Sequence, residues 1–496
     1  MKDPTLQQFQ DISALLNSSL DHGTIRERAI EAATLLMNAE AGSLLLLDEE
    51  TGDLYFDVAH SEKGEAVRQA RLRGGQGIAG YVARTGKPVI VNDVQNDVRF
   101  FRHVDQASGF VTRSMVCVPV TVHGRILGVL QAINQKSGEK FDESDLQNFV
   151  ALGHQVGIAI ENANLYGDIH RLFEGFISAS VQAIESRDPT TSGHSQRVAT
   201  LTCRLAEAVN RTTAGVYADT RFNADQLREL RYAAVLHDFG KIGVREQILV
   251  KARKLYPLQK ELIKARFDFI KRTLEVETLQ RKLEVYDADG EEKHALLTRL
   301  DQQLTQRIGE MDEMFSFILK CNERASQSPT HVEKLKEVAH LEYRSFDGPR
   351  PFLTEEEFHA LAVLQGNLTG AERREIERHV THTFEFLSKI PWTRALKGVP
   401  SIAWSHHEKL DGSGYPRRLS HEQIPLQARM MTICDIYDAL TASDRPYKTA
   451  ISSETALGYL QTQAKEGKLD RNLVEIFVKE HIYELTQPRS TTRKIA

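Results

Sequence analysis

The chain has 496 residues, 41% hydrophobic and 26% charged, and carries a net charge of -5 at neutral pH. That length is too great for a single core and predicts roughly two to four domains, while the composition is that of a soluble globular protein. The acidic balance excludes a global basic field that would recruit DNA or anionic lipid, so a phosphate-bearing ligand has to be held by a local site.

Cys117, Cys203, Cys321 and Cys434 lie far apart with no C-x-x-C spacing. This argues against a disulfide scaffold or a zinc ribbon and fits a reducing compartment. The start, "MKDPTLQQFQ", is polar, and no run approaches the roughly 18 apolar residues that span a bilayer. The expectation is a cytoplasmic protein without membrane insertion.

The first third has α+β texture. "TIRERAIEAATLLMNA" (24–39) is helical in pattern, and "AGSLLLLDEETGDLYFDVAH" (41–60) predicts two strands around an acidic Thr-Gly turn. "GGQGIAGYVARTGKPVIVNDV" (74–94) predicts a short helix, a Gly-Lys-Pro turn and a strand. "SMVCVPVTVHGRILGVLQAIN" (114–134) predicts two more strands around His123-Gly124, with Val116, Val118, Val120 and Val122 alternating. A sheet with helices on one side is expected.

At Phe141 the texture changes. Asp142 reads as an N-cap with Asp145 three residues on, a capping-box variant, and helical pattern then runs to about Ser186. Unbroken, such a helix is roughly 65 Å long. Phe149, Val156 and Ala163 are seven apart, as are Ile169, Phe176 and Ala183 in a shifted register. Two readings stand: a parallel dimer seam that transmits a signal, or a helix packed on its own domain.

From Asp188 onward the pattern is almost wholly helical. Within 251–321, Leu255, Leu262, Phe269, Val276 and Leu283 repeat every seven residues, as do Leu297, Leu304, Met311 and Ile318, with "DADGEE" as a turn between them. This predicts a helical hairpin with coiled-coil character. Its mixed charges favour a solvated structural arm over a dedicated partner site.

Four histidine clusters then lie in helical sequence: "TTSGHSQRV" at His194, "AAVLHDFGKIG" at His237-Asp238, "ERHVTHTFEFL" at His379 and "WSHHEKLDGSGYP" at His406-His407. "TICDIYDAL" adds Asp435 and Asp438 on an apolar helix. A lone helical histidine is ordinary, and Asp-Gly-Ser-Gly before Pro is turn chemistry. Polar groups in apolar helices need partners or cost several kcal/mol. Five histidines and two aspartates satisfy one another best around divalent cations, and no cysteine takes part.

"HDFGKIG", "HHEKLDGSGYP" and "DIYDALTASDRPYK" together resemble the HD-GYP family, the branch of the HD phosphohydrolases associated with hydrolysis of cyclic di-GMP, over about 166–250 and 353–480. The resemblance implies His194, His237, Asp238, His379, His406, His407 and Asp435 as ligands of two divalent ions, iron or manganese, bridged by Asp238. It implies Lys241 and Arg445 as phosphate contacts, Asp438 as a substrate-side residue, and Gly414, Tyr415 and Pro416 as a loop beside the substrate. Hydroxide bridging the two ions would attack phosphorus in line, giving pGpG and then GMP. A diguanylate cyclase is an implied partner of that loop.

Three departures stand out. Thr190 occupies the place of a glutamate that holds a third metal in some members, with Glu185 further upstream. The stretch 251–352 lengthens the chain between His237 and His379. "ERHVTHT" carries both His379 and His382, and the family register favours His379.

"GGQGIAGYVARTGKPVIVNDV" and "SMVCVPVTVHGRILGVLQAINQ" resemble a GAF domain, over about 9–165. This implies a sensory module whose ligand is unknown and a homodimer through this domain and the connecting helix. Asn134, Lys136, Phe141 and Asp145 partly resemble a cyclic-nucleotide motif, with Leu146 in place of its final Glu. The expected architecture is an α+β GAF domain (1–165) joined by a long helix to an all-α HD-type domain (166–496) interrupted by a hairpin at about 251–352. The expected function is a cyclic di-GMP phosphodiesterase under GAF control. The alternatives are a non-catalytic nucleotide- or protein-binding module, or a phosphohydrolase of another cyclic nucleotide.

Overall fold

A computed structural model describes residues 11–60, 71–188, 193–285, 291–323, 327–442 and 450–486. Arg445, Thr190 and most of the "DADGEE" turn lie outside the described residues. The chain divides into two compact units, 1–175 and 176–496. No helix among the described residues is long and apolar enough to cross a membrane.

The first unit runs α1 (His22–Leu36), β1 (Ala39–Leu47), β2 (Leu54–His60), β3 (Arg71–Leu72), α2 (Gly77–Thr85), β4 (Val89–Val91), β5 (Met115–Val122), β6 (Arg125–Gln135) and the start of α3 (Glu143–Glu185). The strands form one antiparallel sheet of order β3-β2-β1-β6-β5-β4. Leu44, Leu46, Val116, Val118, Val120 and Leu130 pack against α1 and α3 on one face. Leu45, Phe56, Met115, Cys117 and Val129 pack with Ile78, Ala79 and Val82 of α2 on the other. Helices therefore cover both faces, not the one side expected. A sheet buried on both faces needs apolar residues at successive positions, which is why "SLLLL" is continuous rather than alternating.

The Asp145 amide donates to the Asp142 carboxylate at 2.9 Å and the Asp142 amide to the Asp145 carboxylate at 3.0 Å, forming the capping arrangement at the start of α3. Phe149, Val156 and Ala163 are fully buried in the first unit's core, so this part of the helix packs on its own domain. A different stripe, Ile158, Leu165, Ile169, Leu172 and Phe176, is exposed. Asn134 and Phe141 also have structural places here. The Asn134 side chain accepts from the Arg113 and Ser114 amides, and Phe141 is buried.

The second unit contains α4 (His194–Arg211), α5 (Ala224–Leu236), α6 (Pro257–Glu284), α7 (Glu291–Cys321), α8 (Pro329–His340), a hairpin of β7 (Glu342–Ser345) and β8 (Gly348–Pro351), α9 (Gly370–Glu377), α10 (His379–Leu387), α11 (Val399–Trp404), α12 (Leu426–Thr441), α13 (Ser453–Lys465) and α14 (Arg471–Lys479), with shorter helices left unnumbered. α4 packs on α5 and α12, and α11 packs on α5 and α10. α12 is apolar around most of its circumference and is correspondingly buried, Met430 through Asp435 included.

The hairpin α6–α7 has its own core. Ile263, Phe267, Ile270 and Leu274 of α6 meet Met311 and Ile318 of α7, with Leu335 and Val338 of α8 closing one side. The heptad read on α7 thus faces inward. The heptad read on α6 does not: beyond Leu255, its residues Leu262, Phe269, Val276 and Leu283 are exposed. The helix carries two apolar stripes one residue out of phase, and the period alone does not say which one packs.

Candidate metal centre

Every histidine of the constellation stands at a helix end. His194 opens α4 after Gly193, whose φ of 66° turns the chain sharply into the helix. His237 follows the last residue of α5, His379 opens α10, and His406 and His407 follow α11. Asp435 and Asp438 come from the middle of α12. Five separate stretches converge on one place.

The hydrogen bonds fix how these rings present themselves. Nδ1 of His237, His379 and His406 each lies 2.6–2.7 Å from the carbonyl three residues earlier, of Ala234, Ile376 and Ala403 respectively. A carbonyl only accepts, so each Nδ1 carries the proton and each Nε2 keeps its lone pair. All three Nε2 atoms are buried without a hydrogen-bond partner. Orphaned buried acceptors are costly and rare, and three facing one another fit a site built for cations.

The carboxylates sit among them. Asp238 places Oδ1 3.2 Å from His379 Nε2, without hydrogen-bond alignment, and Oδ2 3.5 and 3.8 Å from Nε2 of His237 and His194. Asp435 places Oδ1 3.2 Å from His194 Nε2 and Oδ2 3.7 Å from His407 Nδ1. Three overlapping groups have ligand atoms within 4.8 Å of one another: His194, His237 and Asp435; His379, His406 and His407; and His237, Asp238 and His406. HD domains bind divalent metals, and these groups could hold them.

The electrostatics agree with neutral imidazoles and ionised carboxylates. Burial, helped by neighbouring His237 and His379, pushes His406 down to about 3, and burial with His406 beside it holds His407 well below the ordinary value. Burial opposes the ionisation of Asp238, but Lys241, His237 and His379 outweigh it and hold its carboxyl well below the usual range. His194 differs: burial disfavours its charge, yet Asp435 and Asp438 raise it to about 9.

Asp438 is 2% exposed at its side chain. One oxygen accepts from His194 Nδ1 at 2.7 Å and the other from Arg197 Nε at 2.7 Å. Its carboxylate is thereby held between His194 and Arg197. Lys241 Nζ lies 2.9 Å from Asp238 Oδ2 and 3.0 Å from Asp188 Oδ2. Asp188 and Glu408 escaped the sequence reading. Glu408, 2% exposed, accepts the Arg417 and Leu419 amides at 2.8 and 2.9 Å and folds the Gly-rich loop back on the histidine pair. An acid directly after "HH" was the available signal.

Two glycines are required by close approach. A Cβ on Gly240 would come 1.9 Å from the His379 carbonyl, and one on Gly414 would come 2.3 Å from the Lys409 amide. Gly240 lets the "HDFGK" turn lie on the start of α10, where its amide donates to Thr383 Oγ1 at 2.7 Å. Gly414 lets the loop double back, bringing the Tyr415 ring 4.8 Å from that of His407. His382 does not join the cluster; its ring packs over Gly243.

Comparison with known proteins finds a GAF domain at 19–161 and HD domain matches at 191–296 and 356–473. The chain is 31% identical to the probable 3',5'-cyclic phosphodiesterase pde-5 of Caenorhabditis elegans over 29% of its own length and 21% of that protein. It is 40% identical to the 3'3'-cGAMP-specific phosphodiesterase 3 of Vibrio cholerae over 19% of its length and 20% of that protein. It is 43% identical to the cyclic di-GMP phosphodiesterase response regulator RpfG of Xanthomonas campestris over 20% of its length and 25% of that protein. The chain thus spans a quarter or less of the length of these relatives.

Proposed function

For a chain in which a GAF domain precedes an HD domain, we propose metal-dependent hydrolysis of a cyclic dinucleotide, cyclic di-GMP first, to pGpG and GMP. The observation that carries this reading is the set of three buried, unpartnered Nε2 atoms gathered around Asp238 and Asp435. His194, His237 and Asp435 would hold one divalent ion and His379, His406 and His407 a second, with Asp238 offering an oxygen to each. Bound iron or manganese supplies Lewis-acid charge and an activated water.

The protein's own groups do the rest. Lys241, its ammonium kept by Asp238 and Asp188 against burial, places positive charge beside the site for a phosphate oxygen. The loop of Gly414, Tyr415 and Pro416 forms a wall for the base or sugar. Residues 1–165 are assigned the sensory role and 166–496 the hydrolytic one, with 251–352 inserted. The exposed stripe on α3 supports pairing of two chains through the connecting helix. The bacterial relatives named for cyclic dinucleotides support the substrate class, and the one named for 3'3'-cGAMP keeps that molecule as a second substrate reading.

The test is turnover by anaerobically purified protein with Mn²⁺ or Fe²⁺, offered cyclic di-GMP, 3'3'-cGAMP and cyclic GMP in parallel, with products resolved by chromatography. Linear pGpG or GMP from cyclic di-GMP is expected. Faster cleavage of 3'3'-cGAMP moves the substrate, and cleavage of cyclic GMP alone overturns the dinucleotide reading. No turnover with two metals bound overturns the hydrolase itself.

Asp438 acts through His194. Asp438→Asn is expected to weaken metal affinity by about 10–100-fold, because a neutral amide holds the His194 ring less firmly in its orientation. Metal titration followed by isothermal calorimetry reads this directly, and unchanged affinity would remove the orienting role.

A further inference from the structure

The α6 stripe left outside the hairpin core is an apolar feature that the site does not use. It is a complete heptad seam over four repeats. Leu262, Phe269, Val276 and Leu283 occupy one position, and Leu258, Ala265, Arg272 and Leu279 the other. The exposure of its leucines and valine runs from 53% at Leu262 and Val276 to 71% at Leu258. Single exposed apolar residues are ordinary, but five in heptad register are the pattern of a helix that expects a second helix. A groove of about 930 Å³ lies along the middle of the seam, walled by Phe269, Arg272 and Val276 on one side and by Tyr343 and Phe346 of the β7–β8 hairpin on the other, with the Phe269 and Tyr343 rings 5.9 Å apart. Phe346 is 98% exposed at the tip of that hairpin.

We infer that α6 pairs with α6 of a second copy of this chain, antiparallel, through Leu258, Leu262, Phe269, Val276, Leu279 and Leu283. The seam is complementary to its own reverse. With the two-fold axis between residues 270 and 271, Leu258 meets Leu283 of the second copy, Leu262 meets Leu279, and small Ala265 meets Val276. At the centre Arg272 lies over Phe269 of the second copy, within reach of Asp268, so its cation meets both a ring and a carboxylate twice across the axis. Glu261 lies opposite Lys282 at each end. Asp268 and Glu275 also approach, and Arg272, which already pairs with Glu275 in one chain, stands between them.

The register supplies the test. Full-length chains carrying Leu262→Cys and Leu279→Cys are mixed and oxidised at micromolar concentration. A disulfide between the two variants is expected, while each variant alone gives little, because in this register residue 262 lies about 25 Å from its own counterpart. Adding Val276→Glu to both chains should lower the cross-linked fraction about tenfold, while the helical circular dichroism of each chain stays the same because the side chain is exposed in the single chain. Equal cross-linking of each variant with itself would mean a parallel pair, and no cross-link in the mixture would mean an unpaired α6. Either result overturns the inference, and neither depends on what the metal site hydrolyses.

Discussion

Asp238→Asn is expected to lower cyclic di-GMP turnover by at least about a thousandfold, roughly 4 kcal/mol of transition-state stabilisation, and to reduce bound metal from two ions per chain. The size of the effect follows from the position. The Asp238 oxygens point to different imidazoles, Oδ1 to His379 and Oδ2 to His237 and His194, while Oδ2 also meets Lys241 at 2.9 Å. Replacing the carboxylate by an isosteric amide keeps the volume but removes the charge that would offset cations held by the imidazoles on either side. Elemental analysis and turnover measured on the same preparation check the two halves together. Full metal content with lost turnover would leave Asp238 as a substrate-side group, and unchanged turnover would displace it from the centre.

The motifs that gather at this centre were legible because each is chemically odd where it stands: histidines and aspartates in apolar helices have few comfortable explanations. Their supporting groups were less legible, for a physical reason. Asp438 and His194 meet across 244 positions of chain, and Lys241 finds Asp188 53 positions away, so no local pattern announces either pair. Asp438 follows Asp435 by three residues on the same helix, and the sequence reading made Asp435 a metal ligand and Asp438 a substrate-side residue without a signal for the His194 contact. The two-strand signals of the first unit held, because continuous apolar runs broken by Gly turns leave little choice of element. The layer arrangement did not, since "GIAGYVART" gives the presence of α2 but not the face it covers. The same limit applied to α6. Period seven identified a coiled-coil helix, yet Ile263, Phe267, Ile270 and Leu274, not the stripe beginning at Leu262, form the inner seam.

Lys241→Met is expected to cut turnover by about 10²–10³-fold while leaving two metals in place, the loss typical of removing one preorganised donor from a developing charge. The lysine is also structural, so its catalytic effect has to be separated from folding. Asp188 is 4% exposed and lies 3.0 Å from the ammonium. Removing that ammonium takes a buried cation from beside Asp188 and Asp238 and should cost about 3–5 kcal/mol of stability in the metal-free protein. The proposed metal centre uses the carboxylate of Asp238 and not that of Asp188. Adding Asp188→Asn to Lys241→Met removes one of the carboxylates that lose this ammonium, and denaturant unfolding should recover part of the lost stability. Turnover should stay at the level of the single variant, because the missing cation is still missing. Recovery of both together would reduce Lys241 to a scaffold for Asp188, whereas recovery of stability alone assigns its charge to the reaction.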